Sequence, residues 1–361
     1  METKVIKITD ENIIKACKEA GEIIKCGGLV AFPTETVYGL GGDGLNPESS
    51  KKIYAAKGRP SDNPLIIHIA DFNDLDKIAK DIPSKACILA DKYWPGPLTM
   101  RFKKKDSVPD ETTGGLDTVA VRMPDNKIAL EFIRAAGGFI AAPSANKSGR
   151  PSPTKAEHVY DDMNGIIPMI LDGGQVGIGI ESTIVDFAEG DISILRPGYI
   201  TPKMIEEVIG ESVSLDPSVD GVSSDAHPKA PGMKYKHYAP KAELTILEGE
   251  SKEVISYMAS LIKKDKGIKT IGLMIKKENV GTLLSNLTEE EKTKIIIKTI
   301  GSAKDPESFA HELYSVLREF DESDVERIYT ESIEKKGIGV AVYNRLVRAA
   351  GHEVIKIEET E

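Results

Sequence analysis

Apolar residues first recur at helical spacing at Ile13, Ile14, Cys17, Ala20, Ile23 and Ile24. This predicts an opening helix over 10–27, capped by Asp10 and stopped by Gly27-Gly28. An apolar strand over 29–32 follows at once. Pro47 opens a short helix that runs to Lys57, a strand over 65–70 comes next, and helical segments fill 71–93. Strand-like runs return at 98–102, 118–123, 139–142, 166–171, 183–187 and 192–195. Interleaving of this kind predicts an α/β domain on a sizeable mixed sheet.

The patterning vanishes between 211 and 240, where Ser212, Ser214, Pro217, Ser218, Ser223, Ser224, Pro228, Pro231 and Pro240 collect. Such a stretch reads as a linker or a functional cover. Beyond it, strands at 243–247, 270–275, 294–299 and 327–330 alternate with helices at 251–264, 279–292, 306–320 and 338–350, which predicts a smaller α/β domain with parallel pairing. The expected organisation is a domain over 1–210, a linker or lid over 211–240 and a second domain over 241–361.

Composition narrows the function classes. A chain of 361 residues suits two domains, and 40% hydrophobic with 29% charged residues excludes a wholly disordered or fibrous chain. The 47 basic residues are outnumbered by 57 acidic ones, and both sides of residue 210 are net acidic. A nucleic-acid contact would therefore need a local patch. Cys17, Cys26 and Cys87 form no CxxC pair, so reduced thiols are expected. The start lacks an apolar signal core and no long apolar run occurs, which predicts a soluble, cytoplasmic protein without a membrane partner.

Gly39, Gly41 and Gly44 satisfy G-x-G-x-x-G, but Leu45-Asn46-Pro47 intervene before any helix, so a mobile glycine loop is expected rather than a dinucleotide site. No P-loop, GxSxG, HExxH or CxxC occurs, which removes support for P-loop nucleotide sites, serine hydrolases, zinc enzymes and dithiol redox proteins. What remains is a set of cations and hydroxyls at strand and helix ends. Pro33 to Gly39 leaves a strand loaded with hydroxyls, a bland turn or a ligand loop. Lys57-Gly58-Arg59-Pro60 closes a helix with two cations, which suits capping or, with Asn63, phosphate oxygens. His68 faces opposite Ile67 and Ile69, as a structural histidine or a ligand contact. Arg122 closes the apolar run Val119–Val121, either in an internal salt bridge or as the clamp of a small carboxylate. Ala142 to Ser152 is dense in small hydroxyl residues and glycine, as a surface turn or an anion cradle. With no covalent nucleophile, this set suits phosphoryl or nucleotidyl transfer.

Seven segments, PTETVYGLG, KGRPSDNPL, WPGPLT, VAVRMP, APSANKSGRPS, ESTIVD and LRPG, occur in this order. They resemble the threonylcarbamoyl-AMP synthase family, whose core is the YrdC-type domain. The PGMKYKHYAP stretch and the trailing α/β region resemble the longer, two-domain form. The resemblance implies a YrdC-like twisted mixed sheet with helices, followed by a smaller Rossmann-like α/β domain. It implies the reaction of L-threonine, bicarbonate and ATP to threonylcarbamoyl-AMP and pyrophosphate, the first step towards threonylcarbamoyladenosine in tRNA. By the same resemblance Thr36, His68, Arg122, Ala142 and Ser182 hold threonine. Arg59, Asn63, Thr118, Ser144, Ser152 and Arg196 hold ATP, Lys57 contacts phosphate, and Tyr235 reaches the nucleotide from the linker. Lys57 and Arg59 are the expected catalytic pair. Magnesium arrives with ATP, with no metal ligands from the chain and no organic cofactor. Downstream tRNA threonylcarbamoyltransferase proteins are expected partners, and Lys103-Lys104-Lys105 offers a weak RNA contact. A non-catalytic RNA-binding module is the main rival reading. A carbamoyltransferase acting on a protein or hydrogenase cofactor is a second, although this chain lacks the cysteines and length of such enzymes.

Overall fold

The computed structural model describes residues 2–220, 228–231, 238–265 and 267–357. The chain divides into two compact units, Met1–Ser148 with Ser152–Tyr235, and Gly149–Pro151 with Lys236–Glu361.

Among its described residues the first unit carries a 12-stranded mixed sheet. Its order is Lys4–Lys7, Met169–Asp172, Val30–Phe32, Gly39–Asp43, Ile140–Ala141, Ile66–His68, Thr118–Arg122, Leu98–Lys104, Thr183–Asp186, Ser193–Arg196 and Ser214–Leu215, with Ala79–Lys80 paired to Leu98–Lys104. The last strand pairs with Ser193–Ile194, so the sheet reaches into the stretch read as linker. Two residues are too short to show alternation in sequence.

Local chemistry explains the elements that frame the site. The helix Pro47–Lys57 has Asn46 as N-cap, accepting from the Glu48 N–H at 3.0 Å, and Pro47 in its first turn. Gly58 ends it at φ 61°, and the Arg59 N–H bonds the Tyr54 carbonyl at 2.9 Å. The opening helix starts at Ile13, later than expected. Asp10 does not cap it; its carboxylate pairs with Lys127 at 2.7 Å. That helix lies tightly against the helix Lys127–Ala136, where a Cβ on Gly21 would meet the Ala135 carbonyl at 2.6 Å. The mobile glycine loop is corrected too, because Gly39–Asp43 is an inner strand. A Cβ at Gly41 would fall 2.9 Å from Ile140 and 3.1 Å from the Phe32 ring. Glycine is there for space, not for motion.

The second unit is a five-stranded, all-parallel sheet in the order Ile295–Thr299, Ile271–Ile275, Arg327–Glu331, Glu243–Glu248, Val354–Lys356. Isoleucine-rich strands are expected where helices cover both faces. The predicted helix 279–292 is two, Val280–Ser285 and Glu289–Lys292, because Thr288 starts a new one with a capping box to Glu291. Arg318 donates to the Pro151 carbonyl from Nε at 3.1 Å and Nη2 at 2.7 Å, and Asp321 accepts from the Lys241 N–H at 2.7 Å. Among the described residues, no helix of either unit is long and apolar enough to cross a membrane.

Candidate active site

Strand register decides which side chains of the first unit share a face. Ile66 pairs with Ala120, His68 with Arg122, and Arg122 with Thr99. Side chains alternate along a strand. Val119 and Val121 enter the core together with Ile67, so Thr118, Ala120, Arg122, Ile66 and His68 line the opposite face. One strand thereby presents a hydroxyl at its start and a guanidinium at its end, roughly 13 Å apart.

At the Arg122 end the side chain is buried, and its Nε donates to the Gly96 carbonyl at 3.2 Å. Its Nη2 lies 2.7 Å from Oε2 of Glu35, but that nitrogen and both Glu35 oxygens lack a properly directed hydrogen bond. His68 is buried edge-on against Phe32, with Nδ1 3.2 Å from the Ile66 carbonyl. Burial, and after it the charge of Arg122, hold the imidazole down to about 3, so the ring is neutral around pH 7. The hydroxyls of Thr99 and Ser182 are 2.7 Å apart. Arg196 donates to Ser182 twice, to the carbonyl at 3.0 Å and to Oγ at 3.1 Å. Thr36 is buried beside Thr34, whose Oγ1 also accepts the Val37 N–H and fixes the turn.

At the Thr118 end, Arg101 donates from Nε to Thr118 Oγ1 at 2.9 Å and pairs with Asp186 at 2.7 Å and Glu189 at 2.9 Å. Burial pushes the Asp186 carboxyl up, and Arg101 opposes it. Asn63 and Pro64 lead into the strand Ile66–His68 here. Their carbonyls hold Arg59, through Nε at 3.2 Å and Nη2 at 3.1 Å. Asn63 is buried, and its Oδ1 has no partner. The Lys57 ammonium donates to the carbonyls of Ser144 and Asn146, and Ser144 Oγ donates to Asn146 Oδ1 at 2.6 Å. Lys57 and Arg59 are thus rigidly mounted on either side of a left-handed Gly58.

Between the ends, Ala230 is fully buried against Ile66, Ala120, Ile184 and Leu195. Lys229 pairs with Glu189 at 3.4 Å and Asp216 at 3.7 Å, and Arg196 Nη1 donates to the Pro231 carbonyl at 3.4 Å.

Of the sequence-predicted residues, Thr36, His68, Arg122 and Ser182 gather at the Arg122 end, while Lys57, Arg59, Asn63, Thr118 and Ser144 gather at the other. Ala142 lies between the two ends, where its N–H donates to the carbonyl of Ile66, the partner of Ala120, at 2.9 Å. Ser152 and Arg196 stand apart from the other nucleotide candidates. Ser152 donates to Glu181 at 2.6 Å, and Arg196 holds Ser182. Tyr235 lies outside the described residues. Sequence reasoning missed Glu35, Thr99, Arg101, Glu181 and Ala230. Glu35 had a signal in its position between two threonines at a strand exit, and Thr99 and Glu181 in the segments WPGPLT and ESTIVD.

Fold and site define an α/β protein with a two-ended sheet face of cations and hydroxyls, suited to transfer chemistry on a phosphate-bearing substrate. Residues 22–198 match the family model described as Telomere recombination, and residues 200–351 match the model described as Threonylcarbamoyl-AMP synthase, C-terminal domain. The chain is 47% identical to a threonylcarbamoyl-AMP synthase of Pyrococcus abyssi over 94% of its own length and 95% of the relative's. For the Bacillus subtilis threonylcarbamoyl-AMP synthase the identity is 45%, over 94% of each chain. The crystal structure of P. abyssi Sua5 complexed with L-threonine superposes with a TM-score of 0.90 at 44% identity, covering 99% of this chain and 100% of that one. The chain belongs to the threonylcarbamoyl-AMP synthase family, a family of ATP-dependent enzymes.

Proposed function

We propose that this chain joins L-threonine, bicarbonate and ATP into threonylcarbamoyl-AMP and pyrophosphate, with threonine at the Arg122 end and ATP at the Lys57–Arg59 end. The observation that carries the assignment of ends is the Arg122 guanidinium, which is buried on a polar face with a nitrogen that makes no directed hydrogen bond. A substrate carboxylate satisfies it. The P. abyssi relative solved with L-threonine supports the same ligand here.

The residues divide the work. Arg122 pairs with the threonine carboxylate, and the hydroxyls of Thr36 and Ser182 with neutral His68 and Ala142 orient the rest of the amino acid. The amino nitrogen forms a carbamate with bicarbonate. A carbamate oxygen then attacks the α-phosphorus in line, and pyrophosphate leaves. The substrates bring their own nucleophiles, so the chemistry requires none from a side chain. Lys57 and Arg59 are fixed before reaction and offset charge developing on pyrophosphate without reorganising. Thr118 and Ser144 contact the nucleotide, while Ser152 and Arg196, which lie outside that cluster, support Glu181 and Ser182, and the unpartnered Oδ1 of Asn63 suits one of the nucleotide's N–H or O–H donors. Among the described residues no three His, Cys, Asp or Glu side chains converge on a metal position, and cations with hydroxyls suit phosphate oxygens. Magnesium fits as an ion carried by ATP, where it neutralises phosphate charge. Residues 228–231, whose Ala230 packs on Ile66 and Ala120, cover the adenylate, which water would hydrolyse. The product passes to tRNA threonylcarbamoyltransferase proteins in the cytoplasm.

A stand-alone RNA-binding role is less well supported. Lys103 pairs with Asp81 and Lys104 with Asp110, while Lys105 donates to the Asp76 carbonyl, so two of the three charges of the basic run are locally paired. Pyrophosphate release from ATP tests the reading. It should require both L-threonine and bicarbonate and be much slower with serine; release indifferent to the amino acid overturns it.

A further inference from the structure

Glu35 is the group at this site that the reaction above does not use. Its backbone is fixed: the Glu35 carbonyl accepts the Ile178 N–H at 2.8 Å, and the next carbonyl, of Thr36, accepts the Gly179 N–H at 3.1 Å. The side chain is only 13% exposed and directed at Arg122, with Oε2 2.7 Å from Nη2. The contact is close but badly aligned, and it leaves both carboxylate oxygens without a hydrogen bond. A buried ion pair built for stability satisfies its remaining donors and acceptors. This one does not. The groups facing Glu35 are the Arg122 guanidinium from the strand Thr118–Arg122 and, beside it in register, His68 from the strand Ile66–His68; the Ile178-Gly179 segment adds no titratable side chain. A substrate carboxylate that takes Arg122 displaces Glu35 from its only charged contact at this site and leaves the Glu35 carboxyl beside the bound amino acid.

We propose that Glu35 is the acceptor of the substrate's amino-group proton: it neutralises Arg122 before binding, yields the guanidinium to the incoming carboxylate, and receives the ammonium. The inference rests on the reading of the Arg122 end as the threonine end. In the step itself, the threonine ammonium, bicarbonate and the Glu35 carboxylate give the N-carboxylate of threonine, one water and the Glu35 carboxylic acid. The N–C bond forms, a C–O bond of bicarbonate breaks, the oxygen leaves as water, and the surplus proton stays on Glu35.

Three proteins test this: wild type, E35Q and E35D. Pyrophosphate release is followed from about pH 7 to about pH 9, towards the range where a free amino group loses its proton unaided. E35Q should lose at least tenfold in turnover at the lower pH and recover most of it at the higher, whereas E35D should keep the wild-type profile. A loss of equal size at every pH, or no loss, overturns the assignment. Calorimetry on the wild type gives a second reading that no folding defect can obscure. L-Threonine should bind at least tenfold tighter than 2,3-dihydroxybutanoate, which keeps the carboxylate and the 3-hydroxyl but has a hydroxyl in place of the amine; equal binding also overturns it. If wild-type pyrophosphate release ignores threonine, the underlying assignment of the site fails, and that outcome is separate from either result for Glu35.

Discussion

The polar face of the strand Thr118–Arg122 in the first unit and the end of the strand Arg327–Glu331 in the second treat buried polar groups in opposite ways, although Glu253 Oε2 of the second unit also has no hydrogen-bond partner. In the second, the carboxylate of Glu331 is buried and desolvation pushes its pKa up, yet it is fully engaged: it accepts from the Lys276 N–H at 2.9 Å and from Asn279 Nδ2 at 2.7 Å. In the first, Glu35, Asn63 and Arg122 keep buried atoms without directed partners, all on or beside one face of one sheet. A satisfied buried network fixes a fold, and an unsatisfied one is tolerated where a ligand completes it. Position in the sheet separates them as well. Glu331 closes a strand in a regular parallel sheet, whereas Arg122 closes one where parallel and antiparallel neighbours meet.

This contrast can be broken by substitution. Arg122→Ala should cost about 2–4 kcal/mol of threonine affinity while ATP affinity survives; calorimetry showing unchanged threonine binding would make Arg122 structural like Glu331. His68 gives a pH test. Its folded pKa is depressed to about 3, so the unfolded chain takes up a proton near pH 6.5 that the folded chain refuses. The stabilisation is present above that range and lost as pH falls towards 3, at up to about 1.4 kcal/mol per pH unit. Urea titrations of H68Q should lack this slope between those limits. Ala230→Leu overfills the contact with Ile66 and Ala120 and should cost about 1–3 kcal/mol of stability, together with lower adenylate accumulation; unaffected accumulation would remove residues 228–231 from the covering role. Glu331→Gln has the smallest expected effect, about 1 kcal/mol in thermal stability, with threonine affinity unchanged.

Elements with local punctuation were legible in sequence. Asn46, Pro47 and Gly58 bracket the helix Pro47–Lys57, and β-branched runs mark the parallel strands of the second unit. The strand Gly39–Asp43 was not, because its glycines answer to Phe32 and Ile140, far away in sequence. The helix Lys127–Ala136 is capped by Asn126 and Gly137, but its ten residues between two apolar strands give its 3.6-residue period too few turns to stand out in sequence. The site divides likewise. Residues ending apolar strands, such as Arg122 and Ser182, announced themselves by a change from apolar to polar. The Glu35 pairing and the Arg101–Asp186 bridge under Thr118 exist only once strands are registered, and one sequence contains no trace of register.

The shared rung of His68, Arg122 and Thr99 has a further consequence. Neighbouring strands in a sheet are held about 4.8 Å apart by their backbone hydrogen bonds, so the width available to a small molecule on this rung is metered by peptide geometry. An exchange among these three side chains changes what stands on the rung and leaves the spacing beneath it untouched.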